Sequence, residues 1–107
     1  MTASATLAHY TPQDRDRLVS DHCAEHVLLL LDALGWTVVQ TPEANFHATS
    51  PDTRLYLAWL PEDPGAWVRG IVWRLEVTPR EGQPWTQEFS IDAPSEAVAA
   101  FLATLTG

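Results

Sequence analysis

The chain contains no lysine. Its six cations are all arginine, set against fourteen carboxylates for a net charge of −8. Such a balance repels phosphate backbones and anionic bilayers, because affinity for both grows with the number of neutralising cations. Indiscriminate nucleic-acid binding and a membrane partner are therefore not expected, although a specific single-strand site stays open. An all-arginine cation set also points to GC-rich codon usage and a bacterial source. One cysteine, Cys23, leaves no internal disulfide and fits a reducing compartment. No run approaches the ~18 apolar residues of a membrane span, and no basic segment followed by an apolar one opens the chain. A cytoplasmic protein is the expectation. A glycine-rich phosphate loop, a CxxC pair and a serine elbow are all missing, so no cofactor is expected.

What is present is globular composition: 46% hydrophobic and 19% charged residues, far from the signature of disorder. A chain of 107 residues reads as one domain, with residues 1–10 as a loose lead-in. Thr11-Pro12-Gln13-Asp14 has the chemistry of a helix start. Leu18, Val19, Cys23, Val27, Leu30, Leu31 and Leu34 then recur every three or four residues until Gly35 supplies a left-handed stop. An unbroken helix from Pro12 to Leu34 would be about 35 Å long, more than so small a domain needs, and Ser20-Asp21 is where it would break.

From Trp36 onward the period changes to two. Trp36–Gln40, Asn45–Thr49, Arg54–Leu60, Trp67–Val77 and Trp85–Ile91 read as strands. Thr41-Pro42, Ser50-Pro51-Asp52-Thr53, Pro61–Gly65 and Pro79–Pro84 read as the turns between them, and turns this short imply antiparallel neighbours. Leu55, Leu57 and Trp59 share one face, as do Trp67, Ile71, Trp73, Leu75 and Val77. Tyr56, Ala58 and Leu60 make the second face of their strand apolar as well. A last helix runs from about Pro94 to Leu105, with a stripe of Ala97, Val98, Phe101, Leu102 and Leu105, Glu96 in its first turn and Asp92 as its candidate cap. The fold class is α+β: an antiparallel meander of four to five strands, with an N-terminal and a C-terminal helix packed on one face.

Gly35-Trp36 after a helix, Ser50-Pro51-Asp52 before Arg54, Pro84-Trp85 with Phe89, and Pro94, Glu96, Phe101 and Leu105 in the last helix form an ordered set. Together they resemble the actinobacterial SPD-motif domain of unknown function, over roughly Ala33 to the C-terminus. The resemblance implies the fold and no activity. Ala93 stands where that family usually has threonine. On its own chemistry the SPD segment is a turn: Pro51 presets φ, while the Ser50 hydroxyl and the Asp52 carboxylate accept backbone N–H groups.

Three signals carry chemistry. His22-Cys23-Ala24-Glu25-His26 fits H-x-x-E-H, which on a helix aims two imidazoles at one zinc ion. The plainer reading is two histidines on the polar edge of an amphipathic helix. Five tryptophans are the second signal. Trp59, Trp67 and Trp73 beside Arg54, Arg69 and Arg74 would make a stacking platform for single strands if they shared an open sheet face; otherwise they fill a core. Third, more strand positions are apolar than two helices can cover. That excess favours a non-enzymatic module presenting its sheet and acidic rim to a protein partner or to a second copy of itself. A single-strand binder is the alternative, followed by a small zinc hydrolase. No catalytic or metal-ligating residue is assigned.

Overall fold

The computed structural model describes residues 18, 20, 23–42 and 44–106. The elements in chain order are α1 (Glu25–Ala33), β1 (Thr37–Gln40), β2 (Phe46–Thr49), β3 (Leu55–Trp59), α2 (Pro64–Arg69), β4 (Ile71–Val77), β5 (Trp85–Ser90) and α3 (Ser95–Thr106). The five strands form one sheet in sequence order, every neighbouring pair antiparallel. The expected α+β class and meander are what the structure has.

Val27 and Leu31, one turn apart on α1, and Val98 and Leu102, one turn apart on α3, are fully buried. Both pairs join the same core as Phe46, Ala48, Leu55, Leu57, Trp73, Leu75 and Val77 of the sheet. Side chains alternate along a strand, so one face of β2, β3 and β4 supplies this core and the other looks away from the helices. Burying each large apolar side chain there stabilises the fold by about 1.5–3 kcal/mol. Gly35 ends α1 at φ 76°; its N–H reaches the Asp32 carbonyl and the Trp36 N–H reaches the Leu31 carbonyl, which pairs two of the helix's last carbonyls. Cys23 and Ala24 lie ahead of α1 without helical backbone, so no single helix runs through them to Leu34. The Thr11–Asp14 start, Val19, Asp21 and His22 lie outside the described residues.

Two expectations fail between Pro61 and Val72. Trp67, Val68 and Arg69 are helical, not the start of a strand. The reason is capping chemistry: Asp63 accepts the Gly65 N–H at 3.1 Å, Pro64 occupies the first helical position, and Gly70 closes the turn at φ 69°. Those caps override the strand preference of Trp67 and Val68. The ladder with β5 then slips between Ile71 and Trp73, and this bulge carries Val72 into the core although simple alternation places it on the far face.

The last helix starts at Ser95, with the Pro94 carbonyl accepting the Ala97 and Val98 N–H groups. Just ahead of it the chain binds back on itself: the Asp92 N–H donates to Ser90 Oγ at 2.9 Å. Glu96 is exposed in the first turn of α3. Phe89 meets Phe101 edge to face, centroids 5.3 Å apart, which fastens β5 to α3.

Candidate binding site at the tryptophan end of the sheet

The register decides which candidate residues meet. Trp59 pairs directly with Trp73, and Phe46 with Trp59, so these three rings cluster on the helix-covered face; their centroids lie 5.7 to 6.0 Å apart. Arg74 pairs with Ala58 and Glu88 on the opposite face. There it reaches Glu76 at 3.1 Å and Glu88 at 3.4 Å, and Arg69 joins from the end of α2, 3.3 Å from Glu88. Arg54 stands at the head of β3 and directs its guanidinium toward the Thr78 carbonyl, 3.5 Å away. Tryptophans and arginines thus do not share a sheet face, and the stacking platform they would form together is not built. Nor is the second face apolar throughout: His47, Tyr56, Arg74, Glu76 and Glu88 populate it. Tyr56 donates to or accepts from His47 Nδ1 at 2.5 Å, the two rings nearly parallel. Burial holds the Tyr56 phenol above its ordinary value of 10.0; Glu76 adds to the rise and Arg74 opposes it.

What does converge is Trp59, Trp67 and Trp73. At the end of the sheet where β3 leaves and β4 enters, the three indoles line one hollow of about 80 Å³, together with Pro61, Val72, Ile91 and Ala93. Ser20 and Cys23 contribute from the segment before α1. Trp73 is almost wholly buried and Trp59 half-buried, so both belong to floor and wall. Trp67 differs, because 54% of it is exposed. Its Nε1–H donates to the Pro61 carbonyl, and α2 is capped at both ends, so the ring is fixed although solvent reaches it. The register sets Trp59 opposite Trp73, whereas sequence spacing only groups Trp59 with Leu55 and Leu57, and Trp73 with Leu75 and Val77. Spacing also misses that a helix would swing Trp67 over the pair, for which the one legible sign is Asp63-Pro64 followed by Gly70. Trp85, at the far end of β5, is 40% exposed and lies outside this hollow.

The SPD segment is a self-contained hinge between β2 and β3. The buried Ser50 accepts the Leu55 N–H on its hydroxyl at 3.1 Å and donates that hydroxyl to Asp52 Oδ1 at 2.6 Å; the same carboxylate oxygen accepts the Arg54 N–H at 3.1 Å. Backbone bonds complete it, Ser50 N–H to the Leu55 carbonyl and Thr53 N–H to the Ser50 carbonyl. The Ser50 hydrogen bond, then the Arg54 N–H, hold the Asp52 carboxyl below its ordinary value of 3.8. A shallow hollow lies beside this turn, between Trp36, Pro51, Leu55 and Leu105. The Ser50 hydroxyl and Asp52 Oδ1 there are spent on the turn itself, and the tryptophan hollow gathers three indoles, which makes it the better ligand site.

Of the H-x-x-E-H segment, Glu25 and His26 begin α1 with exposed side chains, and His22 lies outside the described residues. Among the described residues no group of three or more His, Cys, Asp or Glu is placed to hold a metal ion, and no helix is long and apolar enough to cross a membrane.

A family model described as SPDY, a domain of unknown function (DUF317), matches residues 49–107, more than half of the chain. The matched part holds the SPD turn, β3 to β5, α2, α3 and all of the hollow except Ser20 and Cys23; Gly35 and Trp36 fall outside it. No curated protein and no solved structure matches.

Proposed function

Because the chain belongs to the SPDY family, whose description assigns no activity, we propose from its geometry that it is a non-enzymatic protein-interaction module, docking a partner's side chain in the Trp59–Trp67–Trp73 hollow. One observation carries this reading: a half-exposed indole, immobilised by its own N–H bond, stands over a pocket floored by two more. Exposed tryptophan is uncommon on a free surface and enriched at the energetic centres of interfaces. Covering the exposed half of Trp67 would remove on the order of 100 Å² from water, worth about 2.5 kcal/mol. Because the ring is already held, docking would cost little side-chain entropy.

Walls of indole and aliphatic carbon supply dispersion and ring electrostatics, which select a side chain by shape. The test is to pan a displayed random-peptide library against the folded chain and against Trp67→Ala. Peptides enriched by the first and lost on the second are expected. Enrichment indifferent to Trp67, or none, would overturn the site.

A further inference from the structure

Resting on the docking reading above, we infer that the side chain received by the tryptophan hollow is cationic, an arginine in a basic segment of the partner. The hollow offers a ligand three indole rings, and an indole face attracts a cation more strongly than any other aromatic side chain does. The Trp67 N–H, a donor that an anionic or carbonyl-bearing group would want, is committed to Pro61. Two lining residues adjoin carboxylates in the chain: Pro61 is followed by Glu62 and Asp63, and Ala93 is preceded by Asp92. Glu62 and Asp92 are exposed, and neither is in a salt bridge among the described residues, where the ion pairs join Arg69 and Arg74 to Glu76 and Glu88 on the other face. Asp63 spends one oxygen on the Gly65 N–H.

The whole chain carries the same sign at −8, so long-range attraction and the local rim favour one kind of partner. Arginine fits better than lysine, because its planar, weakly hydrated guanidinium stacks on an indole while its edge donates to carboxylates. Its aliphatic stem would lie against Val72 and Ile91.

The same panning experiment separates the two readings. Peptides that need Trp67 and share an arginine support both. Peptides that need Trp67 but carry no basic residue leave the docking site standing and overturn the cationic occupant. No Trp67-dependent peptide overturns both. As a second measurement, the best arginine peptide is titrated by tryptophan fluorescence against the folded chain and against a Glu62→Gln, Asp92→Asn double variant. Two solvent-exposed charges removed should weaken binding about five- to tenfold at low salt, and raised salt should narrow the gap. Equal affinities at low salt, with both proteins folded by circular dichroism, would overturn the role of the rim.

Discussion

Trp59 and Trp73 face each other across β3 and β4 with ring centroids 5.7 Å apart, and the second of them is only 2% exposed. The pair therefore does two jobs, closing one end of the core and flooring the hollow that Trp67 overhangs. Stability and binding should be separable within these three residues. Trp73→Ala empties a packed site and is expected to cost about 3–5 kcal/mol. Trp67→Ala removes a ring that already faces water and should cost about 1 kcal/mol or less. Urea unfolding followed by far-ultraviolet circular dichroism measures both, and equal losses would mean that Trp67 is a core residue and not a docking surface.

The turn at Ser50 makes a sharper claim about hydrogen bonds. Ser50→Ala strips the buried Leu55 N–H of its side-chain acceptor and frees Asp52 from its closest donor, and an unpaired buried group costs about 1–3 kcal/mol. Asp52 adds a pH dependence whose sign follows from its lowered pKa. A carboxyl held below its unfolded value of 3.8 stabilises the fold at pH above that value, and the contribution is lost as pH falls through the lower, folded value. Asp52→Asn should therefore be less stable than the parent at neutral pH, and the two unfolding midpoints should converge below pH 3.8. A gap that stays constant on acidification would show that the charge of Asp52 is irrelevant.

The caps of α2 predict that the hollow can be disturbed from outside it. Gly70 sits at φ 69°, with open space where a Cβ would go, so Gly70→Ala meets no clash and pays only for left-handed backbone, about 1–2 kcal/mol. Asp63→Ala removes the acceptor of the Gly65 N–H and should cost about 1 kcal/mol. Both changes loosen α2 and with it Trp67, so both should shift tryptophan emission to the red and weaken peptide capture. Unchanged emission in both variants would mean that the helix does not depend on its caps.

Strand positions were legible in the sequence because the apolar period of two is strong in β4 and β5 and β3 is apolar on both faces, and the face that carries Leu55, Leu57, Trp73, Leu75 and Val77 is buried. The SPD turn was legible for the same local reason: serine and aspartate flanking a proline have few other uses. Alternation fails where a short helix is spliced between two strands. Trp67-Val68-Arg69 has strand composition, and only the Asp63-Pro64 start and the Gly70 stop say otherwise. The bulge at Val72 has no sequence mark of its own. The separation of tryptophan from arginine follows from register, which period alone does not set until each strand's partner is known. Thus of the residues expected to share a site, Trp59, Trp67 and Trp73 are gathered together, whereas Arg54, Arg69 and Arg74 are held elsewhere by their own partners.

On the face away from the helices, Tyr56 and His47 share a hydrogen bond of 2.5 Å under nearly parallel rings. Tyr56→Phe keeps the ring and deletes the bond, leaving His47 Nδ1 half-buried without that partner, so a loss of about 1 kcal/mol is expected at neutral pH. Alkaline pH should narrow the difference. A phenol raised above 10.0 by burial and by Glu76 favours the fold while protonated, and that contribution is lost as pH climbs through the raised value. Phenylalanine has no proton to lose, so the stability of Tyr56→Phe should fall less steeply above pH 10.0, and the two curves should approach each other. Urea midpoints collected from neutral to strongly alkaline pH measure this directly. Parallel curves would mean that the Tyr56 hydroxyl titrates in the folded chain as it does in the unfolded one, with neither burial nor Glu76 acting on it.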